Sequence, residues 1–318
     1  MDSIEKAMFG RSVSAVTRPP AVIPPVPQSR EDVIERAVNL PSSAPITSPN
    51  LPEAHRRTRR SVTLDMERIR ASGLLVPDSQ RSRIKEEYRQ IKRPLLMNVD
   101  GKGAAKVDHP NLIGVTSARA GEGKTFTACN LALSIASERN RTVLLVDADI
   151  LRPAVAKMLG FEADQGLVDF LADDQMELAD VLVSTNMSSL TILPAGSKHH
   201  LSAELLAGDN MHRLTAEMSQ RYPDRIVIFD APPLLATTEA RILASLMGQV
   251  VMVVEAERTL QAHVKEALSL LNPNQISGFV LNKSRDLIAS GYYGKDYGHP
   301  YDHDGQEFGT SPPAGSIG

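Results

Sequence analysis

Between Asn111 and Asn282 the chain keeps switching between two rhythms. Short β-branched apolar runs, "LIGVTS", "TVLLVDAD", "LTILP", "RIVIFDA", "VVMVVEA" and "ISGFVLN", read as strands. Between them lie "TFTACNLALSIASE", "SAELLAGDNMHRLTAEMSQ", "TEARILASLMG" and "TLQAHVKEALSLL", which read as helices. Several of the strand runs are apolar almost throughout, as expected of strands covered on both faces. Strand-helix alternation of this kind predicts an α/β fold with a doubly wound, mostly parallel sheet.

Upstream of that region the period is helical. "SVTLDMERIRASG" has a Ser/Thr start and a Gly stop, and predicts a helix from Ser61. "PDSQRSRIKEEYRQIKRP" predicts a second helix, in which Ile84, Tyr88, Ile91 and Leu95 form one apolar stripe. Its other face carries Glu86, Arg89 and Lys92, which on their own read as a solvated face with weak intrahelical pairs.

Periodicity fails at both ends. Residues 17–60 are rich in Pro and Ser, and such a segment buries too little apolar surface to offset its ordering entropy. The organisation predicted is a disordered arm over 1–60 and a folded domain over 61–287. That domain divides into N-terminal helices over 61–110 and a core over 111–287, and a flexible tail follows over 288–318. The arm reads as a linker or a docking peptide.

Composition narrows the picture. Of 318 residues 42% are hydrophobic, enough for a sizeable core. A net charge of -3 gives no pull toward nucleic acid, so no nucleic-acid partner is expected. The lone Cys129 fits a reducing compartment and excludes an intrachain disulfide framework. No apolar run approaches the roughly 18 residues of a membrane span. The N-terminus "MDSIEKAMFG" lacks the apolar region of a secretory signal. The expectation is a cytoplasmic protein that reaches a membrane only through a partner.

The stretch "SARAGEGKTF" joins a predicted strand to a predicted helix. Ala120, Gly121, Glu122, Gly123, Lys124, Thr125 and Phe126 are predicted to bind the phosphates of ATP. Glycines let backbone N–H groups turn inward, and the following helix adds its positive end. Lys124 would reach the β- and γ-phosphates, and the Thr125 hydroxyl would hold Mg2+. The pattern asks for Gly at position 118, and Ala118 stands there. Such a residue suffices if its φ stays negative.

Two apolar strands downstream end in aspartate: "TVLLVDADILRP" in Asp147 and Asp149, "RIVIFDAPP" in Asp230. In open parallel sheets ligands bind beyond these strand ends. Asp147 and Asp230 are candidate Mg2+ ligands, directly or through water, and Asp147 could also accept a proton. Lys124, Asp147, Asp149 and Asp230 form the predicted catalytic set for phosphoryl transfer.

With these motifs in place, the chain resembles the bacterial tyrosine kinases, P-loop ATPases related to the Min/Par partition ATPases. "SARAGEGKT", "LLVDADILRP" and "IVIFDAPP" are similar to that family's nucleotide motifs. "GLVDFLADD", "LTILPAG" and "GFVLN" also fall where it has similar segments, and the resemblance covers about residues 61–303. It is close to the exosortase-associated autokinases of exopolysaccharide gene clusters.

The resemblance implies an ATP- and Mg2+-dependent tyrosine autokinase. It gives a role to a tail that holds most of the chain's six tyrosines: Tyr292, Tyr293, Tyr297 and Tyr301 would be phosphorylated by neighbouring subunits. It implies a homo-oligomeric ring built through Glu86, Arg89 and Lys92, where Lys92 replaces an arginine of the family motif. It implies a base-side contact at Asn282. It also implies a separate membrane polysaccharide chain-length protein as activator, and a tyrosine phosphatase. Arg119 stands where partition ATPases carry a signature lysine.

The alternative is a partition-type ATPase, a nucleotide-dependent dimer switch. The C-terminal "GTSPPAGSIG" cannot form the basic amphipathic membrane helix of Min-type members. His199, His200, His299 and His303 have no zinc-site arrangement with cysteines and read as loop histidines.

Overall fold

The strand runs lie side by side in one sheet. We describe a computed structural model, which describes residues 60–284 except 79, 81, 104, 105 and 222–224. The Pro-rich arm, Tyr222 and the tyrosine-bearing tail lie outside the described residues. In chain order the elements are β1 (Arg60–Val62), α1 (Met66–Ala71), α2 (Arg83–Val99), β2 (Leu112–Ser117), α3 (Lys124–Ala136) and β3 (Thr142–Asp147). Then come α4 (Val155–Leu159), α5 (Leu167–Ala172), α6 (Leu178–Val181), β4 (Val183–Thr185) and β5 (Leu190–Leu193). The chain continues through α7 (Ser202–Ala207), α8 (Asp209–Arg221), β6 (Arg225–Asp230) and α9 (Thr238–Ser245). It closes with β7 (Gln249–Glu255), α10 (Gln261–Leu268) and β8 (Ile276–Asn282).

The strand order is β1-β4-β5-β3-β6-β2-β7-β8. Neighbours pair in parallel except β4 with β5, where the pairing is antiparallel. The fold is thus the mostly parallel, doubly wound sheet that the alternation predicts.

Period-two geometry divides the core between two faces. Leu112, Leu144, Val146, Val227, Phe229 and Met252 point to one side, where α5 and α7–α10 cover them. Ile113, Val115, Leu145, Ile226, Ile228 and Val253 point to the other, where α1–α4 cover them. A central strand between two helical layers has no wet face, which is why its sequence lacks polar alternation.

Local departures have local causes. The first helix begins at Met66, not Ser61: residues 60–62 instead pair with β4, and Asp65 caps the helix by accepting from the amides of Glu67 and Arg68. The second helix runs through Pro94 to Val99. Buried Tyr88 and Leu95 fasten it on both sides of the proline, and that packing outweighs a helix-breaking cost of about 3 kcal/mol. The long helical stretch after Leu201 breaks at Gly208 into two helices. Among the described residues no helix is long and apolar enough to cross a membrane.

Phe229 is fully buried one residue before Asp230. Phe229→Ala should lower stability by about 3–5 kcal/mol through lost contacts and a residual cavity. The check is a urea titration, in which the midpoint should drop while the slope holds.

Candidate active site

The register of the sheet sets the site. β3 pairs with β6 so that Asp147 lies directly opposite Asp230. β6 in turn lies beside β2, the strand that leads into the glycine-rich loop. The carboxyl ends of three adjacent strands therefore meet in one place, where a doubly wound sheet leaves a crevice.

The loop's own conformation follows from its residues. Gly121 and Gly123 have φ of 91° and 99°, a region that favours glycine. Gly123 is also crowded: a Cβ there would lie 1.9 Å from the Asn282 side-chain nitrogen. Ala118 is fully buried and is not among the described residues with positive φ, so an alanine is tolerated where the pattern asks for glycine. The buried Glu122 braces the loop from within, accepting from the Arg119 amide at 2.9 Å and from the Thr259 hydroxyl. No side chain caps the first turn of α3. Its leading amides and its positive helix end are left for an anion.

Beneath the loop the floor is ionic and buried. Lys124 pairs with Asp149 at 2.5 Å, and Asp147, Asp149 and Asp230 are all at most 2% exposed. One oxygen of Asp147 accepts from the amides of Ala154 and Val155, both at 3.0 Å. Its other oxygen, and both oxygens of Asp230, have no hydrogen-bond partner. The Thr125 hydroxyl lies close enough to Asp230 to favour its ionised form, but without hydrogen-bond geometry.

Burial pushes the Asp230 carboxyl up to about 7, against the opposing pull of the Lys124 charge. Burial likewise raises Asp147 to about 6, against its two amide donors. Orphaned hard oxygens on a buried floor fit a small divalent cation. Mg2+ is commonly held by one or two carboxylates, with waters and substrate phosphates completing its shell. Among the described residues no three His, Cys, Asp or Glu side chains form a ready metal cage.

The other predicted residues are distributed as follows. Ala120 is exposed at the loop's tip. Phe126 and Asn282 line a groove of about 680 Å³ between α2 and β8, next to the loop. Within that groove's margin, the Asn282 amide donates to the Glu122 carbonyl at 2.9 Å. On α2, Glu86 and Arg89 pair at 2.9 Å and are both exposed. Lys92 turns inward instead, donating to the Ser134 carbonyl and pairing with Glu138, so it does not share their outward face. Arg119 contacts His263 of α10 at 3.2 Å. The stacked His199 and His200 rings join no metal cluster. Sequence reading missed Thr259 and Lys283, which meet the loop from more than 100 residues away, and Glu255, which holds both of them; none carries a local signal.

A family model described as an AAA domain matches residues 111–272. The tyrosine-protein kinase YwqD of Bacillus subtilis (strain 168) is 33% identical over 215 residues, 66% of this chain and 86% of that protein. The tyrosine-protein kinase wzc of Salmonella typhi is 32% identical over 59% of this chain, which spans only 26% of that longer protein. Among solved structures, the chimerical protein CapA2B2 superposes with a TM-score of 0.57 at 25% identity, covering 71% of this chain and 93% of that one.

The raised carboxyls have a thermodynamic consequence. Between their ordinary value of 3.8 and about 7, Asp230 and Asp147 bind more protons folded than unfolded. They favour folding below that window, and the advantage is lost as pH rises through it. For Asp230 the effect is on the order of a few kcal/mol. Melts of metal- and nucleotide-free protein should drop in midpoint between about pH 4 and about pH 7. Asp230→Asn should raise the midpoint at the alkaline end and flatten the slope. An unchanged slope would mean that Asp230 is ionised throughout.

Proposed function

The chain belongs to the bacterial tyrosine-kinase family of P-loop ATPases, a family of protein-tyrosine kinases, and from that premise we propose that it is an autokinase. It transfers the γ-phosphoryl group of ATP to the tyrosines of its own C-terminal cluster, in trans, and thereby regulates exopolysaccharide synthesis or export. The observation that carries this reading is the floor beneath the loop. A buried lysine and three buried carboxylates, with orphaned oxygens on two of them, converge under open glycine backbone.

Each part has a task. The loop amides and the N-terminal end of α3 bind the phosphates, and the base lies in the neighbouring groove beside Phe126 and Asn282. Lys124 is held by Asp149 until the β- and γ-phosphates compete for its charge. Thr125, Asp147 and Asp230 would hold Mg2+, which neutralises charge developing on the phosphate oxygens. The phenol oxygen attacks the γ-phosphorus, the bond to the ADP oxygen breaks, and the phenol proton leaves. Where Thr125 and Asp230 hold the cation, the orphaned oxygen of Asp147 would be free to receive that proton, directly or through water.

The acceptors are Tyr292, Tyr293, Tyr297 and Tyr301. Each phosphate adds about -1.5 to -2 charge, so a modified tail is repelled by the acidic site and withdraws. The exposed Glu86–Arg89 pair on α2 contributes to contacts between subunits of a ring. The protein works in the cytoplasm at the inner face of the membrane. A separate polysaccharide chain-length protein recruits and activates it, and a tyrosine phosphatase resets it.

Purified protein incubated with Mg-ATP should carry phosphate on Tyr292 to Tyr301 by phosphopeptide mass spectrometry. Adding a candidate activator's cytoplasmic segment should increase it. Lys124→Met should lower the yield by at least about 100-fold, the loss expected for removing a charge aimed at the transition state. ATP hydrolysis with no phosphotyrosine, activator present, would instead identify a partition-type switch with water as nucleophile.

A further inference from the structure

Four of the loop's carbonyls are held from outside it, while that of Gly123 accepts from Thr127 in the first turn of α3. Those of Ser117 and Ala118 accept from the amides of Leu234 and Leu235, after β6. That of Arg119 accepts from the Ser117 hydroxyl at 2.7 Å. The next two holds come from the far end of the fold, where β8 finishes. The Asn282 amide donates to the Glu122 carbonyl at 2.9 Å, and the Lys283 ammonium donates to the Gly121 carbonyl at 2.8 Å.

Lys283 has φ of 58°, a left-handed conformation that favours glycine, yet a lysine stands there. Its ammonium also pairs with Glu255 at 3.2 Å, at the end of β7. The Glu255 amide donates to the Thr259 hydroxyl, and that hydroxyl donates to the Glu122 carboxylate. The Ala256 amide closes the circuit on the Asn282 carbonyl at 2.9 Å. A polar collar thus runs from the loop through the β7–α10 turn to the end of β8 and back.

We propose that Asn282 and Lys283 are positioning residues for the phosphate loop. A peptide unit carries its C=O and N–H on opposite sides. Fixing the carbonyls of Gly121 and Glu122 outward therefore fixes the amides of Glu122 and Gly123 toward the phosphates. The two residues act through the loop's backbone, before any nucleotide arrives. Gly123 is part of the same device, since its missing Cβ makes room for the Asn282 side chain. This assigns Asn282 a role that does not require the base, and gives Lys283 and its anchor Glu255 roles of their own. The proposal rests on the reading of the loop as a phosphate site.

The test measures binding by calorimetry on the full chain, with Mg-ATP and with Mg-tripolyphosphate, a probe that has no base. Lys283→Met and Asn282→Ala should each weaken both probes by a similar factor, about tenfold, the equivalent of one hydrogen bond to a charged or well-ordered partner. Lys283→Arg should stay within about threefold of the parent, because it keeps a cation over the Gly121 carbonyl. Glu255→Gln, which frees Lys283 without touching the loop, should weaken both probes by a smaller factor. In the kinase assay KM for ATP should rise more than kcat falls.

An Asn282→Ala loss confined to Mg-ATP would overturn the proposal for Asn282 and make it a base contact. Unchanged affinity for both probes would overturn it for either residue. A loss that merely tracks a lower melting temperature of the free protein would reduce the collar to ordinary packing. If the parent protein binds neither probe, the phosphate reading itself is wrong, a result distinct from any variant's.

Discussion

Three carboxylates and one ammonium share a buried floor. Asp147, Asp149 and Asp230 are all buried, and Lys124 offsets one of them. Full ionisation would leave two uncompensated charges in a medium that solvates charge poorly. The free protein answers by protonation, and the raised carboxyls are the sign of it. A divalent cation would answer the same need without protons, so metal loading and proton release would be linked. The charged floor is supported by a sheet whose centre has no exposed face.

That support explains the topology around the site. An aspartate pair can be held side by side and dry only if the strands that carry it are covered on both faces. β3 and β6 are, and their register sets the two carboxylates opposite each other. The lysine comes from the helix that follows β2, whose residues are almost all buried between the sheet and α2. The loop between them is the one part with little side-chain packing of its own. It takes its shape from neighbours instead: the segment after β6 on one side, and the ends of β7 and β8 on the other.

Much of this was legible in the sequence, and the limits have physical reasons. The strands that build the sheet announced themselves because a doubly covered strand must be apolar on both sides. The loop was legible because positive φ demands glycine, as Gly121 and Gly123 both show. Asp147 and Asp230 stood out as charges that interrupt apolar runs. The strand at Arg60–Val62 was hidden, because a three-residue edge strand is defined by its partner β4 and not by its own pattern. The second helix was read as far as Leu95, and its last turn to Val99 was not, because proline is a local stop signal and the packing that overrides it is not local. Lys92 has the spacing of an outward charge, and only the position of α3 shows that it turns inward. Glu255, Thr259 and Lys283 look like ordinary polar residues at strand ends until the fold brings them to the loop.

The location of the tyrosines completes the argument. Tyr88 is the one tyrosine among the described residues, and it is buried against α3. Burial pushes its hydroxyl up to about 12, so it is a poor nucleophile as well as an inaccessible one. The described residues thus bring together a candidate phosphate clamp, a charged floor and a candidate proton acceptor, and Tyr88, the one described phenol, is buried away from solvent. For the proposed kinase Tyr88 is therefore no candidate acceptor. The sequence sets four tyrosines just beyond β8, the strand whose last residues hold the loop in shape. Under the proposed function these four, and not Tyr88, are the acceptors.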